Sequence, residues 1–484
     1  MVGGHVRSSQ GVRTVAGSIT PGLMRGLSYY TPQSPPPEPP LRGYTKLNRR
    51  LVYVRGQDAP KFLNGLITNH LTGPDDHGAF GFYAAFLNSK GRIISDSFIY
   101  PTHYSTLMSD TANAVGVGSR STTGDGSSSS EVPGYLVECD SSLASSLVSM
   151  LKLHKLRSRV EISLVEDTGS SPKVWQVWDD STVTDSLPLD ITNQSILVPY
   201  CPSLVGASDS RAPGFGLRLV LPGNQTPLDV LSEAFVSADE FPECSPDAYH
   251  IRRLVYGIPE GASELPPNSS LPLDSCMDYM GGVDFNKGCY QGQELTIRSH
   301  HHGIVRKRII PVVLSPPLTS DSNPDPATHS LDQSESSSQP SNKSSDELVQ
   351  QEYELESEPA LEYNPSSPVA TSINSASLAG SSILDISASL GDSSRLARVT
   401  DNPSPFGVSK KSKPSSSSSS SPSLRPSGTL LSAIGNVGLA LVRLEHFGSS
   451  TAQFAIQTPA GNIRVHGFQP YWWPSPDDNT DSSA

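Results

Sequence analysis

The chain has 484 residues, 35% of them hydrophobic, with 42 prolines, 39 glycines and a formal charge of −13. At about 150 residues per domain there is room for two or three domains, but the apolar share is too low for all of the length to lie in cores. The acid excess argues against a general nucleic-acid or anionic-membrane binder. No run of about 18 apolar residues offers a transmembrane helix, and five widely spaced cysteines without a CxxC suit neither a disulfide scaffold nor a single-chain zinc site.

Residues 1–42 carry Arg7, Arg13, Arg25 and Arg42 among Ser and Thr, with Glu38 as the first acid. Basic, hydroxylated and acid-poor is the composition of a mitochondrial transit peptide, and no apolar h-region marks a secretory signal. The expected destination is the mitochondrial matrix, with reduced cysteines. Pro35 to Pro40 reads as a stiff linker. Without residues 1–42 the formal charge is near −16.

The next stretch alternates strand and helix signals. Leu51 to Val54 is a strand. Asp58 opens a helix with Phe62, Leu63, Leu66 and Ile67 on one face. Ala84 to Tyr100 is a hairpin turning at Asn88-Ser89-Lys90-Gly91. Tyr135 to Cys139 is a strand, Ser142 to Lys155 an amphipathic helix, and Val160 to Val165, Val174 to Trp178 and Leu217 to Leu221 are strands. Helices are expected over Pro227–Val236 and Pro246–Val255. After Gly303 the chain turns strand-like over Arg308–Leu314, Gly435–Glu445, Thr451–Gln457 and Ile463–Phe468. The fold class expected is α+β, with a β-barrel or sandwich at the C-terminal end.

Two regions interrupt this pattern. Residues 116–131 are Gly/Ser/Thr-rich and read as an enlarged loop. From Ser315 to Ser427 the chain is Ser, Pro and acid, with seven Lys/Arg against fourteen Asp/Glu. Such a segment buries too little apolar surface to offset its conformational entropy, so 315–427 reads as a disordered insertion, with Ser382–Val399 as a transient helix. The resulting division is a leader and linker over 1–42, a body over 43–302, a barrel from 303–314 plus 428–474, and a tail over 475–484.

One motif carries the chemistry: Lys287-Gly288-Cys289-Tyr290-Gln291-Gly292-Gln293-Glu294-Leu295. Gly288 and Gly292 allow close backbone approach and unusual torsions. Lys287 places a cation nearby, and Gln293 opens a helix whose N-terminal dipole favours a thiolate. That pattern describes an accessible, activated cysteine. A small hydrophobe buried in a turn is the other reading, and the residues alone leave both open. Of His300, His301 and His302, at most the first and third share a strand face, so no three-histidine metal site follows. Arg306-Lys307-Arg308 reads either as a lure for a carboxylate-rich ligand or as a solvated strand end. Trp472-Trp473 reads as a plug on the barrel. Cys139 reads as core, and Cys201, Cys244 and Cys276 lie in Pro-rich turns.

Lys287 to Glu294 is similar to the signature of the YgfZ-type folate-binding-fold proteins. The extension through Leu295, Thr296, Arg298, His300, His301 and Gly303 resembles the mitochondrial branch. Gly56 to Asn69, Phe86 to Arg92, Lys155 to Val160 and Gly257 to Gly261 fit the same family. The resemblance implies a ring of α+β units like that of the glycine-cleavage aminomethyltransferase, enclosing a tetrahydrofolate pocket that Tyr83, Asn88, Arg92 and Gln293 would line. It also implies help in assembling [4Fe–4S] clusters alongside A-type carrier proteins, for client enzymes. Two positions depart from the aminomethyltransferase: Val255 stands where it has an acid, and Ser95-Asp96 where it has paired carboxylates. Independent turnover is therefore not expected. A cluster needs about four ligands, normally thiolates, so the implied role of Cys289 is one ligand of a cluster shared with a partner. The rival readings are a folate-dependent aminomethyltransferase and an interaction scaffold working through the acidic insertion.

Overall fold

The computed structural model of the chain describes residues 34–71, 80–102, 132–181, 205–231, 241–316, 360–386, 426–447, 453–459 and 461–474. One sheet has the order β3-β4-β5-β2-β6, built from β2 (Arg49–Arg55), β3 (Phe82–Leu87), β4 (Ile93–Pro101), β5 (Gly134–Asp140) and β6 (Glu161–Leu164). A second has the order β1-β7-β9-β8, from β1 (Arg42–Lys46), β7 (Lys173–Asp179), β8 (Val205–Ser208) and β9 (Leu217–Leu221). The third is a closed barrel of order β10-β13-β12-β11-β14-β15. Its strands are β10 (Lys307–Ser315), β11 (Ser382–Asp385), β12 (Pro426–Ile434), β13 (Val437–Arg443), β14 (Phe454–Thr458) and β15 (Gly461–Gly467). The helices are α1 (Ala59–Asn64), α2 (Ala144–Lys155), α3 (Pro246–Tyr256), α4 (Gly261–Glu264), α5 (Gln293–His302), α6 (Pro368–Ser372) and α7 (Leu444–Phe447). This is the expected α+β architecture with a C-terminal barrel.

The first sheet separates two cores, and the two-residue period of its strands decides which side chain joins which. Val52, Val54, Val137 and Ile99 face α1 and α2, where Phe62, Leu63, Leu147 and Leu151 meet them. Leu51, Tyr53, Leu136, Phe98 and Tyr100 face the other way, into the centre of the molecule. The three- and four-residue spacing of Ala144, Leu147 and Leu151 buries one stripe of α2. Asp58 precedes α1 but makes no side-chain cap. Its carboxylate instead accepts from the Arg159 backbone N–H at 2.7 Å and from the guanidinium at 3.1 Å, pinning the strand entry of β6.

Three expectations are corrected. Residues before 43 were assigned to a leader and linker, yet β1 starts at Arg42, the Pro40 carbonyl accepts from the Trp178 indole at 3.0 Å and the Pro36 carbonyl from Tyr363 at 2.7 Å. A proline-rich strip has unpaired carbonyls, and here they serve as acceptors for buried aromatic donors. Residues 1–33 lie outside the described part. The stretch 315–427 is not one structureless insertion: residues 360–386 are built into the barrel, with Tyr363, Val369, Leu378 and Ile383 buried. The expected helix from Ser382 begins instead as β11, which joins β12 to β14 and closes the barrel. Apolar residues of this described segment fill the gap. Finally, the described part of the helix expected over Pro227–Val236, residues 227–231, holds a 3-10 turn, Pro227–Asp229, with a Thr226–Asp229 capping box. Residues 232–236, the loop 116–131, the serine tract 415–421 and the tail 475–484 lie outside the described residues.

Candidate functional site

The Cys289 loop is fastened to the segment that follows α1. The Thr68 hydroxyl donates to the Gly282 carbonyl at 2.6 Å while accepting from the Ala85 N–H at 2.8 Å. The Asp284 N–H donates to the Thr68 carbonyl and the Gln291 N–H to the Gly65 carbonyl, at 3.1 and 3.0 Å. Between these ties the Lys287 ammonium donates to three carbonyls, those of Asn64 and Ile67 at 2.8 Å and of Asn69 at 2.7 Å. It also sits 4.9 Å from the centre of the Tyr290 ring. Burial pulls the Lys287 amine down to about 8, with Asp284 acting weakly against it. Lys287 was expected to place a cation near the thiol. Its three bonds turn it inward instead, where it satisfies the last carbonyl of α1 and two from the segment that follows.

What remains outside is Gly288 and Cys289, both exposed, with open space around the glycine. The Cys289 thiol is free. Of its two readings the accessible one holds. Tyr290 turns back into the core, its N–H donating to the Gln293 side-chain carbonyl at 3.1 Å. Gly292 then takes φ +77°, and a Cβ there would stand 2.3 Å from the Asn88 carbonyl. Position 292 thus needs glycine for both torsion and space. The α5 helix follows as expected, with Glu294 in its first turn and Thr296 buried. All three histidines lie in its last turn, not on a strand, and His300 stacks on Phe285 at 3.6 Å between ring centres.

The four residues assigned to a folate pocket are each engaged or enclosed in this structure. Asn88 and Arg92 sit at the β3–β4 turn. There Asn88 donates to the Asn268 side chain at 2.9 Å and accepts from the Lys90 and Arg92 backbone, and Arg92 donates to the Ser269 carbonyl. Gln293 is occupied with the Tyr290 N–H. Tyr83 is fully buried in the central core, its ring tilted against that of Phe98. Asn88 and Arg92 therefore tie the hairpin tip to its neighbours, Gln293 braces its own loop, and Tyr83 is sealed inside. The Tyr83 hydroxyl is buried with no hydrogen-bond partner among the described residues, and no step is built on tetrahydrofolate.

The centre of the molecule holds an ion cluster that reading the sequence missed. Arg218, fully buried, binds Glu138 at 2.7 Å and Glu260 at 2.9 Å. Arg211, also fully buried, binds Asp209 at 2.7 Å and Glu260 at 2.8 Å. Arg49 binds Glu138 at 2.8 Å and Asp96 at 3.2 Å. Tyr249 and Tyr100 donate to Glu260 and Glu138. Burial alone would raise the Glu260 carboxyl, but Arg218, Arg49 and Arg211 override it and hold it well below the usual range. Burial wins at Asp96, whose carboxyl is raised despite Arg49. The available signal was a charge inside an apolar strand: Glu138 within Tyr135–Cys139 and Arg218 within Leu217–Leu221.

The other cysteines are ordinary. Cys139 and Cys276 are buried, and burial pushes both thiols up to about 12. Cys244 is half-buried, and Cys201 lies outside the described residues. Arg308 is neither a lure nor solvated: it is buried, forked onto Asp278 at 2.8 Å, with its guanidinium 3.8 Å from the centre of the Tyr279 ring. Trp473 packs edgewise on the same tyrosine and Trp472 donates to the Tyr256 carbonyl, so the pair does plug the junction of barrel and body. Among the described residues no three His, Cys, Asp or Glu side chains stand together as a metal site.

Comparison with known proteins bears on this arrangement. Residues 395–475 match the family described as CAF17, C-terminal beta-barrel domain. The chain is 42% identical over 299 residues to a Neosartorya fischeri protein named iron-sulfur cluster assembly factor IBA57 homolog, mitochondrial, covering 60% of this chain and 62% of that one. It is 37% identical over 323 residues to the protein of the same name from Aspergillus oryzae, covering 64% and 66%. The resemblance to the mitochondrial YgfZ-type branch holds. The matches span somewhat under two thirds of those relatives' own lengths. The crystal structure of glycine cleavage system aminomethyltransferase T from Bartonella henselae is similar over 91% of this chain and 87% of that one, with 9% identity and a TM-score of 0.47.

Proposed function

We propose that this chain is a mitochondrial iron–sulfur cluster assembly factor that assists maturation of [4Fe–4S] client proteins with an A-type carrier. In this reading Cys289 supplies one thiolate to a cluster whose remaining ligands belong to the carrier. The carrying observation is the exposed, unpaired Cys289 on a loop fixed on both sides, by Lys287 before it and Gln291 after it. Fixing the loop holds the sulfur outward without ordering it anew at each encounter, which lowers the cost of association. Gly288 beside it leaves room for another polypeptide to approach. Soft thiolate ligands suit iron–sulfur cargo. The names of the relatives point to the same role and to the mitochondrion.

The test is anaerobic mixing of the full chain with a cluster-loaded A-type carrier, with and without Cys289→Ser. The visible spectrum and complex mass should change for the native chain and not for the variant. Identical spectra and masses from both would remove the proposal. The tetrahydrofolate-dependent transferase reading is weaker, because the central carboxylates Asp96, Glu138 and Glu260 are each already paired with arginine.

A further inference from the structure

The turn that ends α2 carries an exposed tip that packs against nothing described. The Lys155 carbonyl accepts from the Ser158 N–H at 2.8 Å, closing a turn over 155–158. Its second residue, Leu156, has φ 45° and ψ −112°. That is the geometry of a type II′ turn, where glycine is the favoured residue and a bulky side chain is strained. Yet Leu156 is 88% exposed, and Leu153, three residues back on the same helix side, is 74% exposed. Their exposure leaves neither with packing to favour leucine. Strain kept at a surface position points to a use outside the fold.

The surroundings are cationic. Residues 152–159 contain Lys152, His154, Lys155, Arg157 and Arg159 and no acid, in a chain of net charge −13. Arg159 is bound to Asp58. Lys152, Lys155 and Arg157 have no carboxylate within ion-pair distance among the described residues, and Lys152 and Arg157 are exposed. Charges more than about 8 Å away are screened at physiological salt, so the local cluster and not the net charge decides what this tip meets.

We propose that the tip binds an anionic lipid surface, with Leu153 and Leu156 entering the headgroup layer and Lys152, Lys155 and Arg157 meeting lipid phosphates. Charge complementarity sets the sign of the partner. Two proud leucines fall far short of the roughly 800 Å² per side that a specific protein interface needs, whereas an interfacial membrane contact asks only for apolar side chains flanked by cations. No helix among the described residues is long and apolar enough to cross a membrane, so the contact is peripheral and reversible.

Flotation of the full chain with vesicles of equal parts phosphatidylcholine and phosphatidylglycerol tests this, against vesicles of phosphatidylcholine alone. Binding is expected only to the anionic vesicles, falling as salt rises. Lys152→Gln with Lys155→Gln should weaken it about fivefold per lysine, roughly twenty-five-fold together, and Lys152→Arg with Lys155→Arg should restore it. Leu156→Gly should weaken binding severalfold while leaving thermal stability equal or higher, since glycine relieves the turn. Flotation that is absent, or unchanged by these variants, overturns the proposal. So does binding of soluble polyglutamate by the same residues with no vesicle capture, which would assign the tip to an acidic protein.

Discussion

Replacing Lys287 with Met tests whether this lysine anchors the Cys289 loop or activates its thiol. Methionine keeps the length and the apolar stem and removes the three donors. The carbonyls of Asn64, Ile67 and Asn69 then lose bonds of 2.7–2.8 Å, and the one to Ile67 is buried. Bonds to a charged group contribute about 1.5–3 kcal/mol each, and an orphaned buried acceptor costs about 1–3 kcal/mol. Burial of the amine, which lowers it to about 8, offsets part of this gain. The net loss is therefore put at about 2–4 kcal/mol and not at the sum of three bonds. Urea unfolding with linear extrapolation measures it. Hydrogen exchange adds the local view: the Asp284 and Gln291 amides, which pair with Thr68 and Gly65, should exchange faster in the variant. Iodoacetamide alkylation of Cys289 at fixed pH should be as fast or faster, because the loop opens. An unchanged unfolding midpoint with slower alkylation would refute the anchor and restore the activating charge.

Two more outcomes follow from the centre and from α3. Arg218→Met strands Glu138 and Glu260 inside the molecule and should cost about 3–5 kcal/mol by denaturant unfolding, as breaking a buried pair from one side does. Burial, helped by Arg253, lowers the His250 ring from 6.5 to about 4. The unfolded chain then binds more protons than the folded one between those values, so stability is full above about pH 6.5 and falls as pH drops toward 4. The loss is at most about 3 kcal/mol, since part of the ring keeps contact with water. His250→Gln should flatten that part of the pH profile of the melting temperature.

Much of the body was readable because its signals are local. The β3–β4 hairpin, α2, α3, β9 and the last two strands lie close to where alternation, helical spacing and turn residues put them. The Lys287–Glu294 motif gave away the site because glycine positions and a lone cysteine are visible without neighbours. Exposure of Cys289 was not readable: a free cysteine in a glycine-rich turn is compatible with either side of the surface.

The sequence alone determined the α+β class, the all-β character of the C-terminal end and the family resemblance, since period and motif are properties of short windows. Tertiary structure decided where Lys287 points, that Glu138, Arg218 and Glu260 meet in the centre, and that residues 360–386 close the barrel. Each of these depends on partners tens to hundreds of positions away: Lys287 bonds to carbonyls more than 200 residues earlier in the chain. A buried charge or an unpaired strand edge finds its complement only when the chain has folded, and no local window contains both halves.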